Sequence, residues 1–459
     1  MAIDNSVISY DQEKYLAKQL LQRSYLKLVM SSLCDQDQMR EGAGLTAYMV
    51  RYKRMNAPTS TLTEGTTPSA STFSLEQVTV TLDQWGDYVQ LTDIAQLTAK
   101  HQVIQEAVKL LADNAARVMD REITIVLLAG TNVQFGDGSV TTRATVTSTM
   151  KISDTVLQKA RVTMVNNGAP PRGGPAGDAR QVAAQGNFQN GVSYVAVCGP
   201  ELVSDIQTPS TSFGSFVSSA VYANAKALYN AEVGMWLGFR IVETNFLPKF
   251  VLLGNKTAAV SSAASDGGGI TGFSITAATS GGSLASATFG WKLTRKDLLR
   301  GFEEAISIVH TTATGGGTAK FTFVMPSTSG YVYNLYFDNT AANAGGATTD
   351  AGLGLAGSNL AASSSTVITT FASSTVTPPG NLLSGNTSAD PSAIYPMFIF
   401  GEAAVGWVGF YKPKFLLTGA APEKVDPLAQ YRTAGYKFFG KAVIKDQTRL
   451  LRLEVASTF

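Results

Sequence analysis

The sequence predicts an α+β chain organised around one long extended stretch that runs straight into one long helix. From Glu76 to Leu91 the residues are strand formers, with Val78, Val80 and Leu82 alternating against Thr79 and Thr81. After Asp93 the apolar period changes from two to three or four: Ile104, Val108, Leu111, Ala115, Val118, Met119, Ile123 and Val126 form one stripe. From Gly254 to Pro391 the chain turns poor in charge and rich in Gly, Ala, Ser and Thr, which predicts a separate, mostly β region.

Within the extended stretch the apolar parity slips. Past Gly86 the apolar residues are Val89 and Leu91, opposite in phase to Val78, Val80 and Leu82, as one extra residue at a bulge near Trp85-Gly86 would produce. In the helix, Lys109, Asp113, Arg117 and Asp120 are read outside the stripe, and Gly130 ends it. A helix of about 26 residues is roughly 39 Å long, the width of a compact domain.

Before that stretch, Ser9 and Gln12 have capping-box spacing and open a helix through about Leu33, with Leu16, Leu20, Leu21, Tyr25, Leu28 and Val29 on its apolar face. Alternation over Ala47 to Met55 reads as a strand. Asn56 to Leu75 is polar and punctuated by Pro58, Gly65 and Pro68. Together with the segment from Glu76 this makes one extended β-arm, far longer than the usual strand of about five or six residues. Such an arm cannot fold back into one compact domain, and its simplest physical account is contact with another copy of the chain.

Beyond the long helix, Thr131 to Met150 reads as a short β or loop stretch. Ser153 caps a helix ending at Asn167-Gly168. Ala169 to Asn190 has loop composition, Val192 to Val197 reads as a buried strand, Glu201 to Ile206 and Phe213 to Tyr229 as helices, and Phe239 to Val242 as a strand. In the β-rich region the strand-like runs are Gly272 to Thr276, Phe321 to Met325 and Tyr331 to Phe337, and Leu293 to Val309 reads as its one helix. Tyr395 to Tyr411 resumes the earlier pattern. The chain closes on an expected hairpin, Tyr436 to Ile444 and Leu451 to Val455 turning at Asp446-Gln447.

Composition narrows the function. The formal net charge is +2, the charged fraction 15%, and no long Lys/Arg run occurs, which disfavours tight nucleic-acid binding. Met1 to Tyr10 carries acids and no apolar core, so no signal sequence is expected there, and no run of about 18 apolar residues appears. Cys34 and Cys198 read as two small buried residues in a reducing cytosol.

No catalytic, cofactor or metal site is expected. Gly352, Gly354 and Gly357 spell G-x-G-x-x-G, but a Gly/Ala/Thr tract precedes them and a Ser/Ala tract follows, where a dinucleotide site needs a strand and a helix. Gly315 to Lys320 lacks the Ser or Thr of a P-loop. His101 and His310 have no second His or Cys at ligand spacing, and no G-x-S-x-G elbow accompanies them. Arg51, Lys53 and Arg54 read equally well as the outward face of a strand or as a nucleic-acid contact.

Leu62 to Asp93, with Glu64-Gly65-Thr66-Thr67-Pro68, Gln84-Trp85-Gly86 and Leu91-Thr92-Asp93, resembles the major capsid proteins of tailed phages of the Enquatrovirus type, a family with a Hong Kong 97-like fold. Similarity continues at Asp120, Gly130-Thr131, Tyr194 to Pro200, Arg240 to Thr244, Asp426-Pro427, Gly435 to Lys437 and Arg452 to Glu454. Trp85 stands where the family often has Tyr, and the β-rich region has no counterpart.

The resemblance implies an N-terminal arm over 1–40, an extended β-loop over 41–92 and a peripheral domain with its spine helix over 93–193. It implies an axial domain over 194–253 and 392–425, interrupted by the inserted β-rich domain 254–391, and a return to the peripheral domain over 426–459. Arg51, Lys53, Glu64, Gly65, Pro68, Trp85 and Gly86 are then candidates for inter-subunit contact. The function implied is the icosahedral head shell of a double-stranded DNA phage: hexamers and pentamers, made in the host bacterial cytoplasm, that enclose the genome without reading its sequence. Decoration, scaffolding and portal proteins would be partners, and no membrane or cofactor is implied. A nanocompartment shell protein, or a surface binding module built on the β insert, are the alternatives.

Overall fold

The computed structural model describes residues 29–40, 42, 44–52, 61, 64, 72–92, 103–172, 193–207, 217–218, 231–251, 273–278, 280–284, 287–298, 302–305, 310–313, 319–327, 329–338, 352–370, 372, 376, 393–418 and 431–458. The chain divides into two compact units, 1–126 with 403–447, and 127–402 with 448–459.

In the first unit the extended stretch serves two sheets in succession. Leu75–Thr81 (β3) pairs antiparallel with Thr46–Tyr52 (β2) as a two-stranded ribbon, Thr46 opposite Thr81 and Tyr52 opposite Leu75. Asp83–Thr92 (β4) then joins a four-stranded sheet in the order Asp35–Gln38 (β1), Val405–Thr418 (β20), Tyr431–Ile444 (β21), β4. The pairing of β4 with β21 runs unbroken from Asp83 to Thr92, so the bulge expected at Trp85-Gly86 does not form. The phase changes earlier, at Leu82–Asp83. Val78, Val80 and Leu82 are the more buried residues before it, and Asp83, Trp85, Val89 and Leu91 after it.

The long helix spans Val103–Leu128. Val108, Leu111, Ala112, Ala115, Met119, Ile123 and Leu127 are buried, close to the expected stripe, while Val118 and Val126 lie half-buried at its margins. Asp120 corrects the reading, because it is 2% exposed although expected outside the stripe. Of the helix expected from Ser9, only the end lies among the described residues, as the four-residue turn Met30–Leu33. The chain then adds β1 to the sheet edge, parallel to β20, with Asp35 opposite Gly406.

The second unit is built on an eight-stranded mixed sheet. Its order is Val133–Phe135 (β5), Leu450–Ala456 (β22), Ala393–Phe400 (β19), Tyr194–Cys198 (β6), Phe239–Glu243 (β9), Glu232–Trp236 (β8), Val217–Ser218 (β7), with Phe250–Val251 (β10) beside β19. Every residue of β6 is buried, as its uninterrupted apolar run requires of a strand covered on both faces. One face is covered by the helix Asp154–Asn166, through Val156, Leu157, Ala160 and Met164, and by the helix Pro200–Gln207, through Leu202, Val203 and Ile206. Ser153 caps the first of these, its hydroxyl accepting from Val156 N–H at 3.4 Å, and Gly168 follows its end at φ +66°. Within the helix expected over Phe213 to Tyr229, Val217–Ser218 form a strand instead, and the remaining residues lie outside those described.

The closing hairpin also fails to form. Tyr431–Ile444 pairs with β20 and β4, whereas Leu450–Ala456 pairs with β19 and β5. Both segments alternate as strands, but alternation does not name the partner. The end of β21 is tied back by Ala404 O, which accepts from Lys445 N at 2.9 Å and Asp446 N at 3.2 Å, and a 3-10 turn at Gln447–Arg449 leads into β22.

Residues of the β-rich region form two further sheets. One has the order Ser274–Ala278 (β11), Lys320–Val324 (β15), Ser365–Ile368 (β18). The other has Glu303–Ala305 (β13), Thr288–Asp297 (β12), Tyr331–Asp338 (β16) and Leu353–Ala361 (β17), with His310–Ala313 (β14) also on β12. They meet in one core drawn wholly from residues 273–372, in which Phe289 packs edge-on to Phe321 and Trp291 edge-on to Phe323 at centroid distances of 5.6 and 5.8 Å. The helix expected over Leu293 to Val309 is thereby corrected to β12 and β13. Phe289, Trp291 and Leu293 alternate into the core, and Thr294, Asn334, Tyr336 and Asp338 are buried on the opposite face. There Thr294 and Tyr336 hydroxyls donate to Glu303 at 2.5 and 2.9 Å, and Gly290 N–H donates to Asp338 at 2.7 Å. A helical reading of the sequence has no place for those paired polar residues.

A buried charge cluster fixes β22. Glu454, wholly buried, accepts two bonds from Arg143 at 2.5 and 2.6 Å and pairs with Arg452 at 2.9 Å. Arg143 also lies over the Phe250 ring at 3.9 Å, and Arg452 donates to Leu128 O at the end of the long helix. Burial pushes the Arg452 guanidinium below its ordinary value, with Glu454 opposing and Arg143 reinforcing that shift. Removing the shared anion leaves two cations uncompensated. Glu454→Gln is expected to destabilise the chain by about 3–5 kcal/mol, read as a lowered urea midpoint, and an unchanged midpoint would contradict this account of the cluster.

Candidate assembly surface

The ribbon β2–β3 has two unlike faces. Ala47, Met49, Val78 and Val80 turn toward Val408, Val443 and Phe410 of the four-stranded sheet and share one core cluster with Leu82 and Met39. The other face carries Tyr48 and Val50, exposed at 65% and 58%, beside exposed Leu75. Strand alternation forces this division: once Ala47 and Met49 face the sheet, Tyr48 and Val50 face away from it. Single exposed apolar residues are ordinary; here several fall in a row on the face of the ribbon opposite its packed side.

Arg51 fastens the ribbon. Its guanidinium bonds Glu76 across the strand pair at 2.6 and 2.9 Å and pairs with Asp446 at 2.5 Å. Burial works against the charge here, but the bonds to Asp446 and Glu76 outweigh it and raise the guanidinium above its ordinary value. Of the other residues singled out in the sequence, Glu64 is exposed, while Lys53, Gly65 and Pro68 lie outside the described residues. Trp85 is half-buried in β4 beneath the Arg121 guanidinium, 5.5 Å from its ring. Gly86 opposes Lys437, and a Cβ there would stand 2.8 Å from Tyr436 O. The structure thus places Arg51 near the loop end of the ribbon and Trp85 and Gly86 in the sheet, and the two roles are distinct.

The sequence reading missed Asp120. Its carboxylate accepts from Val29 N–H at 3.2 Å and Ser31 N–H at 3.4 Å, joining the N-terminal segment to the long helix. Burial raises this carboxyl to about 7, against the opposing effect of the backbone donors of Val29, Ser31 and Met30. The available signal was position, since residue 120 lies one from Met119 and four from Ala116 and Thr124, all buried.

Among the described residues no group of three or more His, Cys, Asp or Glu is placed to hold a metal, and no described helix is long and apolar enough to cross a membrane. Two of the glycines of the G-x-G-x-x-G run, Gly354 and Gly357, pair with Phe337 and Leu335 as part of β17. His310 lies in β14, and His101 is outside the described residues.

Comparison with known proteins gives this surface a context. Residues 76–277 match the family model described as phage capsid protein. No curated protein matches the chain. Among solved structures, the capsid of Ralstonia phage GP4 is similar at 9% identity and a TM-score of 0.49, over 94% of this chain and 89% of that one. The cyanophage Pam1 capsid asymmetric unit is similar at 12% identity and 0.47, over 91% and 86%. The head structure of Helicobacter pylori bacteriophage KHP40 is similar at 10% and 0.46, over 94% and 91%. On the family match, the function is that of a phage major capsid protein, a structural component of the head shell.

The close approach at Gly86 yields a test of the sheet. Gly86→Ala is expected to destabilise the chain by about 1–3 kcal/mol, because the Tyr436 carbonyl it meets belongs to paired backbone that cannot swing aside. A chemical-denaturation midpoint equal to the parent's would mean that the β4–β21 pairing is looser than described.

Proposed function

We propose that this chain builds the icosahedral head of a tailed, double-stranded DNA phage of the Enquatrovirus type, with a Hong Kong 97-like fold assembled as hexamers and pentamers. The observation that carries the reading is the two-faced ribbon, held on its own sheet by Ala47, Met49, Val78, Val80 and Arg51 while Tyr48 and Val50 remain uncovered. On this proposal 1–40 is an N-terminal arm and 41–92 the extended loop that meets a neighbouring copy. Residues 93–193 with 426–459 form the peripheral domain, and 194–253 with 392–425 the axial domain. Arg51, Trp85 and Gly86 hold the loop and sheet in shape, while Glu64, Gly65, Pro68 and Lys53 are the candidates for contact with the neighbouring copy. The chain acts by packing and has no catalytic role. A net charge of +2 suits a shell that encloses DNA without gripping it.

The ribbon reading is tested by Tyr48→Asp combined with Val50→Asp. Both side chains are exposed, so the subunit is expected to fold with an unchanged circular dichroism spectrum and to lose particle formation at least tenfold in a sedimentation assay. Particles of normal size and yield would sink the reading. Truncation of the polar segment 56–75 belongs to the same test, with the same expected outcome.

The region 254–391 is proposed as an inserted domain that projects from the shell exterior, where decoration proteins would bind. Its described core draws on residues 273–372 alone, which is what independent folding requires. Protease added to intact particles is expected to cut within 254–391 as readily as in free subunits. Protection confined to the particles would contradict an outward position.

A further inference from the structure

Asp120 has no counterpart among the described residues of the first unit: a wholly buried carboxylate that meets only backbone. It receives Val29 and Ser31 N–H, and among the described residues no cation pairs with it. The described part of the segment it receives, residues 29–40, is also held by the pairing of β1 with β20 and by Lys445, which pairs with Asp37 at 2.7 Å and Asp35 at 3.4 Å. Val29, Met30, Leu33 and Cys34 are buried in the docked position. The described segment is thus anchored by apolar burial and the Asp120 carboxylate at one end, and by sheet pairing and an ion pair at the other.

We propose that docking of the N-terminal segment on the long helix is coupled to a proton on Asp120, so that the segment is held more firmly when that carboxyl is protonated and loosens as it ionises.

Among the described residues, the charged and titratable groups on the elements around the carboxyl are engaged elsewhere. On its own helix Arg121 bonds Glu122 and lies over Trp85, and Arg117 and Asp113 have partners of their own. On the N-terminal segment Cys34 Sγ donates to Met30 O at 3.4 Å, and Asp35 and Asp37 face Lys445. On the neighbouring sheet Asp87 accepts from Asn114 at 2.6 Å, and Tyr436 is raised to about 12 by burial and by Asp87. None of these contributes to the Asp120 shift, which comes from burial and is opposed by backbone donors.

The sign follows from where the proton is held. Docked, the carboxyl titrates at about 7, against 3.8 for an exposed one, so docking takes up a proton between those values. The stabilisation from the proton is complete below the exposed value and is lost as pH rises through the docked one. Lys445 stays charged throughout, since the bonds to Asp37 and Asp35 outweigh burial and raise it. The inference does not depend on the shell reading, because it concerns a contact within one chain.

Cys34 provides the readout. It is buried beside the docked turn, and the only other cysteine, Cys198, is buried in the eight-stranded sheet. Alkylation of the full-length protein by iodoacetamide, followed by mass spectrometry at each cysteine, gives a protection factor relative to the urea-unfolded chain at the same pH. Cys34 protection is expected to fall with rising pH by up to about tenfold per unit between about pH 5 and 7 and to level off above about 8, while Cys198 protection stays constant. In Asp120→Asn, Cys34 protection is expected to be flat with pH. A flat profile in the parent, a parallel fall at Cys198, or a pH dependence that survives in Asp120→Asn would each overturn the proposal. If Asp120→Asn does not fold, the parent profiles at the two cysteines decide it alone.

Discussion

Along one extended run the phase of burial changes: Val80 and Leu82 are the covered residues before Asp83, and Trp85, Val89 and Leu91 the more covered ones after it. A regular strand keeps a single phase, since successive side chains point to opposite faces. The stretch reconciles the two by ending one strand at Thr81 and starting another at Asp83, so that one run of residues belongs first to the ribbon and then to the four-stranded sheet. The rest of the first unit follows from that hand-over. The ribbon's underside lands on Val408 and Val443, its other face is left in solvent, and β4 enters at the register that places Gly86 against the Tyr436 carbonyl.

Polar ties then fix what alternation leaves open. Arg51 clips the ribbon to Asp446, Lys445 holds β1 through Asp35 and Asp37, and Asp120 receives the turn before β1. In the second unit Glu454 gathers Arg143 and Arg452 and so places β22 beside β5 and β19. Each tie joins residues distant in sequence.

The parts of the fold legible in sequence are those that local periodicity dictates. The long helix, the Ser153-capped helix, the strands at Tyr194, Phe239, Phe321 and Tyr331, and the ribbon itself all appear where the pattern places them. The failures share one cause, which is that periodicity does not identify partners. Tyr431–Ile444 and Leu450–Ala456 alternate correctly but pair in different sheets, and Leu293 to Val309 reads as a helix until the buried polar face of β12 and β16 is known. Asp120 was invisible for the opposite reason. A carboxylate on a helix is normally solvated, and only a chain segment docking over it from about ninety residues away makes it an interior group. Of the contact candidates, Arg51 proved to have a partner within its own chain, which spacing alone does not predict.

The proposed shell joins these observations. A subunit whose ribbon is already packed on one side presents its uncovered side at a fixed height and angle, so little conformational entropy is lost when a second copy covers it. Many such contacts, each modest, close a shell cooperatively through multivalency. The most direct measurement is an electron cryomicroscopy reconstruction of particles formed by the full chain together with its head-assembly proteins. The account predicts closed shells in which Tyr48 and Val50 are buried against a neighbouring subunit. Closed shells with that face open to solvent, or a chain that stays monomeric with those proteins present, would contradict it.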